Sequence, residues 1–337
     1  MKPEIINQKA NRFFLTKYLK ENGGIMIALV LLCMFFGLQS DVFFSRSNII
    51  NVLRQISMNA ILACGITCTL LVVGVDLSVG SIVSASSCMC VILLTNGVPL
   101  WICMICSVIL GVVVGFCNGV LIAVIGMPPF IATLTMQTIV RGVAYAITGG
   151  YPTMIMNDTL YAIGNGYLFG IPAPVIIMFA VLAVISVLLN RTRLGRNMYA
   201  VGGNKEAALF SGIKNKRVII TSYCISGLLA GIVGLIITAR LGSCQPTAGE
   251  GMESDAIAAA VIGGTSFSGG IGKVGGTLIG ALIIGVLNNG LNLLGVKFYW
   301  QYVAKGLVLG LALTIDIMRN NPDFADKIKK ALRLKKA

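Results

Sequence analysis

Histidine is absent from this chain of 337 residues. Without it, the chain can form neither a His-containing metal cluster nor a Ser-His-Asp triad. The ten cysteines lie mostly inside apolar runs, and the Cys103-x-x-Cys106 spacing lacks the second pair that a metal site would need. The sequence therefore predicts no metal site and offers no credible catalytic cluster for a membrane-embedded enzyme.

A nucleotide-binding P-loop is also missing. The nearest string, FSGGIGKV at 267–274, lacks the first glycine of the motif and the Ser or Thr that would ligate magnesium. We therefore expect this chain itself to bind neither ATP nor another cofactor.

Acidic residues are scarce, at twelve against 26 Lys and Arg. Asp76, Asp255 and Asp316 fall near the ends of apolar runs, so we expect no carboxylate deep in a span. A carrier driven by protons or sodium usually buries an acidic residue that holds its coupling ion. This expected absence argues against secondary transport, although backbone carbonyls can also bind sodium.

The chain is rich in apolar sequence, with 56% hydrophobic residues and a mean hydropathy of +0.90. Apolar runs of about 20 residues recur, which is the length needed to cross a bilayer core of roughly 30 Å. We predict an all-α polytopic membrane protein with about ten membrane segments, the eighth short and possible as a broken or re-entrant helix. The segments are predicted at 25–40, 55–75, 79–95, 100–125, 129–148, 172–189, 218–239, 254–268, 274–294 and 299–318.

The basic residues predict the topology. Of the 26 Lys and Arg, 20 fall in the two tails, in the loop at 190–217 or at Lys273. The positive-inside rule places all of these in the cytoplasm, together with both termini. The predicted organisation is a cytoplasmic tail at 1–24, a permease domain at 25–318 with a cytoplasmic loop at 190–217, and a basic cytoplasmic tail at 319–337. Because the charges flank apolar spans, the +14 net charge favours a lipid bilayer as partner and not nucleic acid.

Glycine recurs at helix-packing spacing. Gly111, Gly115 and Gly119 are four residues apart, as are Gly227 and Gly231. Small residues at this spacing let helix backbones approach closely in lipid. The pattern predicts a tight helix bundle.

Uncharged polar residues form stripes along three predicted spans, and residues four apart share one face of a helix. Such faces turn toward protein or water and not toward lipid. For one residue alone, hydrogen bonding between helices is the favoured interpretation; the stripes together favour a passage for a neutral polar solute. The candidate path residues are Gln55, Asn59, Thr133, Gln137, Arg141, Asn288 and Asn292.

The basic loop at 190–217 contains the pattern Glu-Ala-Ala-x-x-x-Gly at 206–212. Together with the six strings given next, one of which overlaps it, this pattern resembles the ribose-type monosaccharide ABC permeases, the inner-membrane components of binding-protein-dependent importers. The strings are GVDLSVG at 74–80, TRLG at 192–195, GGNxEAA at 202–208, QPTAG at 245–249, DAIAA at 255–259 with GGTS at 263–266, and LNNGLNLLG at 287–295.

The resemblance implies a transport subunit, with no enzyme activity of its own, in the plasma (inner) membrane of a bacterium. It implies import of ribose or a related pentose or hexose, driven by a cytoplasmic ATPase subunit that binds ATP and magnesium. It also implies an extracytoplasmic sugar-binding protein and a second permease copy, as a homodimer. ATPase coupling is carried over onto Arg193, Gly202, Gly203, Asn204, Glu206, Ala207, Ala208 and Gly212.

The loop predicted outside the membrane at 242–255 is expected to receive the binding protein. Its candidate docking residues are Gln245, Glu250 and Glu253; the alternative is an ordinary solvated connector. The competing function is a self-sufficient channel or secondary carrier for a small neutral polar solute. That function would keep the polar stripes and leave the 206–212 pattern unexplained.

Overall fold

The computed structural model describes residues 23–320, which form helices joined by short connections. The tails predicted at 1–24 and 319–337 lie almost wholly outside this range. The described helices are α1 Gly23–Gln39, α2 Arg46–Leu71, α3 Val79–Thr95, α4 Leu100–Val120, α5 Pro129–Thr148, α6 Asp158–Asn165, α7 Ala173–Arg191, α8 Arg193–Gly203, α9 Lys205–Phe210, α10 Asn215–Leu241, α11 Met252–Ile262, α12 Val274–Leu293 and α13 Phe298–Asn320.

Four two-residue strands lie in the connections. They are β1 Thr153–Met154, β2 Tyr167–Leu168, β3 Ile171–Pro172 and β4 Ser243–Cys244. β1 pairs with β4 and β2 pairs with β3, both antiparallel. A π-helical turn, Leu121–Ile125, extends the end of α4.

Within the described range, seven helices are long and apolar enough to cross a membrane. The all-α, multi-pass prediction is therefore confirmed. Each of the ten predicted segments coincides with a helix, but α1, α3 and α11 are shorter than the seven candidate spans. With 11 residues, α11 cannot cross a bilayer, which agrees with the short eighth segment predicted.

Helix α2 is the centre of the bundle. Every residue from Ile56 to Leu71 is buried, and α2 packs against α7, α10, α11 and α12. The stretch is almost uniformly apolar or small, as expected for a helix that is surrounded by others on all sides.

Glycines spaced four residues apart allow the backbones of α4 and α10 to pack in close contact. A Cβ atom on Gly111 would overlap the carbonyl of Gly227, and one on Gly115 would overlap the carbonyl of Tyr223. Only glycine at these positions lets the two backbones approach so closely. The helix packing predicted from the glycine pattern is confirmed here.

The hairpin between α2 and α3 carries a buried carboxylate. It lies between the ends of the two helices and within neither of them, as expected from the sequence. Asp76 has no exposed surface. Its Oδ1 accepts hydrogen bonds from the amide (3.0 Å) and hydroxyl (2.6 Å) of Ser78, and its Oδ2 accepts one from Ser226 Oγ (2.8 Å). These bonds offset the cost of desolvation. They use both carboxylate oxygens to join the hairpin to α10.

Candidate coupling surface and polar path

Helices α8 and α9 form a capped pair at one end of the bundle. Thr192 Oγ1 accepts from the Gly195 amide (3.2 Å) at the start of α8, and Asn204 Oδ1 accepts from the Ala207 amide (2.9 Å) at the start of α9. A short polar side chain at this position satisfies an otherwise unpaired amide. Asn204 of the Gly-Gly-Asn string is therefore the residue that ends one helix and begins the next.

This pair is fixed to the bundle through the end of α2. The carbonyl of Leu71 accepts from the Gly270 amide (3.0 Å), and a Cβ on Gly202 would overlap that same carbonyl. Tyr199 of α8 donates to the Gly272 carbonyl (2.8 Å). Burial raises the pKa of Tyr199, so its phenol remains a proton donor at neutral pH.

The outer face of α9 presents a carboxylate beside exposed apolar side chains. Glu206 is exposed, and the exposed fractions of Leu209 and Phe210 are 60% and 89%. Ala208 faces inward and is buried. We call Glu206, Leu209 and Phe210 the α9 face; adjacent exposed apolar side chains of this kind can mark a contact with another protein.

Among the other predicted coupling residues, some are buried in the contact with the bundle and others are exposed on the surface. Gly202 is buried, whereas Arg193, Gly203 and Ala207 are exposed. Gly212 has a φ of 81° in the turn after α9, a conformation that favours glycine. The sequence-based site omitted Leu209 and Phe210, although two large apolar residues three and four positions after Glu206 in a basic loop were the available signal.

A groove of about 480 Å³ lies beside the α9 face. Lys214 and Arg217 line it together with Leu194, Asn197 and Gly212. Its basic rim suits an acidic surface on a partner.

The polar stripe of α2 lies in the interior of the bundle. Thr67 and Thr277 are joined by a hydrogen bond of 2.8 Å between α2 and α12. Asn59 is buried, with its Oδ1 unpartnered, and Gln55 is half-buried. This burial favours helix packing over an open path for Asn59; Gln55 stays a candidate.

The polar stripe of α5 is buried near the start of the helix and more exposed toward its end. Thr133 is buried and donates to the carbonyls of Pro129 (2.9 Å) and Val75 (3.2 Å), so its contacts are those of a packing residue. Gln137 and Arg141 are half-buried. Toward the other end of the helix the surface opens, because Gly142 and Tyr145 are exposed.

Arg141 binds backbone carbonyls of the segment that follows α10. Its Nη1 donates to Pro246 O at 2.6 Å and to Ala248 O at 2.8 Å. Backbone carbonyls are therefore acceptors for this guanidinium.

The stripe of α12 meets an ion pair. Asn288 Nδ2 donates to Asp255 Oδ2 (2.9 Å), which also receives Lys305 Nζ at 2.9 Å. Asn292 is exposed and accepts from Gln301 (2.8 Å). Asp255, Lys305 and Gln301 were not among the predicted path residues, because their alignment with α12 depends on how α11 and α13 pack.

The predicted docking residues do not share one environment. Gln245 and Glu250 are exposed. Glu253 is turned inward: a Cβ on Gly80 would overlap its Oε2, which is buried and unpartnered. Docking through Glu253 stays a prediction; in this structure its carboxylate points toward the first turn of α3.

Residues 48–313 match the family described as the permease component of the branched-chain amino acid transport system. The chain belongs to this permease family.

Several relatives of this permease are sugar transport proteins. It is 44% identical to the ribose import permease protein RbsC of Bacillus subtilis, over 94% of this chain and 98% of that protein. It is 39% identical to the D-allose transport system permease protein AlsC of Escherichia coli K12, over 87% and 90%. The galactose/methyl galactoside import permease MglC of Escherichia coli K12 is 35% identical, over 93% and 98%. No solved structure matches the chain. The permease is therefore a transport subunit of the sugar ABC transporter type.

Proposed function

We propose that this permease is the membrane subunit of an ATP-driven importer of a monosaccharide, ribose in the first instance. In this proposal a cytoplasmic ATPase binds ATP and magnesium, and an extracytoplasmic binding protein delivers the sugar. Two copies of the permease form the membrane core, in the inner membrane of a bacterium, with both termini and the loop at 190–217 in the cytoplasm. Ribose is favoured because relatives that share more than two fifths of their residues with this chain are named ribose import permeases.

The observation that carries the proposal is that the exposed α9 face is attached to the buried central helix α2 through close backbone contacts. Phe210 and Leu209 project outward next to Glu206. Behind them, Gly202 abuts the carbonyl that ends α2, the buried central helix. A partner that moved the α9 face would thereby push on the centre of the bundle, which is what coupling of ATP binding to alternating access requires.

The hydrogen bonds of the buried carboxylate argue against the alternative function, a secondary carrier. Asp76 is the fully buried acidic residue of the described range. Both of its oxygens are engaged by Ser78 and Ser226, so it serves the hairpin and presents no free oxygen to a coupling ion. A carrier would also have no use for the apolar α9 face.

Variants in the α9 face and in the turn that follows it test the coupling role. Glu206→Gln and Gly212→Val should reduce co-purification of the ATPase and sugar uptake while the permease still inserts in the membrane. The exposed Thr135 of α5 supplies a control: Thr135→Ser should leave ATPase co-purification unchanged. Uptake that persists at the wild-type rate in both α9 variants would remove the coupling assignment.

A further inference from the structure

The segment at 243–251 lies inside the bundle, although its composition is that of a surface loop. It joins α10 to α11 and runs alongside α3. Ser84 Oγ donates to the carbonyl of Pro246 (2.7 Å). Further along, a Cβ on Gly249 would overlap the carbonyl oxygen of Gly80. The segment therefore follows α3 backward, from Ser84 toward its first turn.

The positions along α3 that contact this segment indicate how deep the segment lies in the membrane. Thr95, the end of α3 remote from α8 and α9, lies 11 residues beyond Ser84 and 15 beyond Gly80. At about 1.5 Å per residue these distances are about 16 Å and about 22 Å along the helix. A bilayer core is roughly 30 Å thick. With Thr95 taken as the outer boundary of the apolar core, the contacts with Ser84 and Gly80 lie well inside its thickness.

Non-helical backbone at this depth needs partners, and two neighbouring helices supply them. Arg141 of α5 donates to the carbonyls of Pro246 and Ala248, and Ser84 of α3 donates to Pro246 as well. Irregular backbone inside a membrane is tolerated where protein buries it or where it lines a water-filled cavity. Here the backbone is buried on one side only.

The other side of the segment is open and polar. Gln245, Thr247 and Glu250 are exposed, whereas Pro246 between the first two is buried. Ser254, in the first turn of α11, is exposed on the same stretch. An acidic side chain that faced lipid at the bilayer centre would cost about 2.5–3.5 kcal/mol on insertion scales. The open face is therefore expected to meet water and not acyl chains.

A small cavity continues this face. It has a volume of about 130 Å³ and a mostly apolar lining, to which Ser254, Asp255, Tyr302 and Lys305 add polar groups. Hydroxyl, carboxylate and ammonium groups bond sugar hydroxyls, and the phenol ring offers an apolar surface to a sugar face. Closed ligand sites usually exceed about 300 Å³, so this cavity suits a brief contact and not tight binding.

We propose that the face formed by Gln245, Thr247, Glu250 and Ser254 is a wall of the sugar path at membrane depth, held in place by Arg141. This deepens the proposed transport function and rests on it. The sugar passes along side chains that were expected to lie in an outer docking loop. Glu250 and Ser254 exchange water for sugar hydroxyls as it passes.

Cysteine accessibility tests the proposal in the full chain assembled with its ATPase. Thr247→Cys and Ser254→Cys are each treated with a negatively charged, membrane-impermeant thiosulfonate, and the reaction is measured above that of the parent chain. Val184→Cys is the matched control, because Val184 is an exposed apolar position on α7. We expect both test cysteines to react at least tenfold faster than the control, and the modification to block sugar uptake.

Equal rates at all three positions would overturn the proposal, since the face would then meet lipid or a second copy. Modification that abolished affinity for the binding protein would also overturn it, in favour of an outer docking surface. Gln245→Cys replaces either test variant that fails to assemble. The rates are measured without sugar, so they remain informative even if the parent chain shows no uptake, which would instead contradict the proposed function.

Discussion

Ser226 Oγ donates a 2.8 Å hydrogen bond to Asp76 Oδ2, joining the middle of α10 to the hairpin between α2 and α3. The same carboxylate receives two further bonds from Ser78. A fully buried acidic side chain is thus the common acceptor for two separate parts of the bundle.

Two replacements of Asp76 test whether the stability of the bundle depends on its acceptor oxygens or on its charge. Asp76→Ala leaves three buried donors without an acceptor, at about 1–3 kcal/mol for each unsatisfied group. We expect a large loss of thermal stability in detergent, measured by retention of the monodisperse peak after heating. Asp76→Asn keeps one acceptor oxygen of the same shape and should lose clearly less. Equal stability of Asp76→Ala and the parent chain would show that the hairpin does not depend on these bonds.

Two adjacent glycines offer a matched test of the close contact between α8 and the end of α2. A Cβ on Gly202 would overlap Leu71 O, whereas a Cβ on Gly203 would meet no atom within 4 Å. We expect Gly202→Ala to lower the midpoint of thermal unfolding by several degrees, because overpacking costs about 1–3 kcal/mol. Gly203→Ala should leave the midpoint unchanged in the same measurement. Equal effects of the two changes would contradict the close contact with α2.

Arg141 is expected to order the segment at 243–251. Arg141→Met removes the two bonds to Pro246 O and Ala248 O while keeping an apolar stem of similar length. Amide hydrogen exchange should then become faster in 245–251 and remain unchanged in α10. Arg141→Lys should have an intermediate effect, because one ammonium replaces the planar guanidinium. Unchanged exchange in Arg141→Met would show that the segment is held by other contacts.

Phe210 should contribute most of the affinity of the α9 face for a partner. It is the last residue of α9, and its exposed fraction is 89%. We expect Phe210→Ala to weaken ATPase binding by about 2 kcal/mol, or roughly thirtyfold in Kd, as for an aromatic residue at an interface centre. Phe179→Ala is the control, since Phe179 is an exposed phenylalanine on α7. The binding is measured with purified components in detergent, and equal Kd values for both variants would exclude the α9 face as the contact.

The sequence predicted the helices well because long apolar runs and glycine spacing are local signals. The glycines four apart in α4 and α10 indicated a close helix contact, and Gly111 and Gly227 do abut. The pattern at 206–212 likewise marked the segment that became α9. These features depend on residues near each other in the chain.

The interior position of two polar segments could not be read from the same signals. The hairpin around Asp76 contains Gly74 and Ser78, and the segment at 243–251 is rich in Gly, Ser, Thr and Pro, as surface turns are. They lie inside because Ser226, Ser84 and Arg141, distant in sequence, supply their hydrogen bonds. A sequence shows that such partners exist, but their pairing follows from the packing of helices.

The most direct test of the account is sugar uptake in vesicles that contain this permease, its ATPase and the external binding protein. We predict ATP-dependent accumulation of labelled ribose that disappears when either partner is left out. Accumulation by the permease alone would contradict the account and support a self-sufficient carrier or channel.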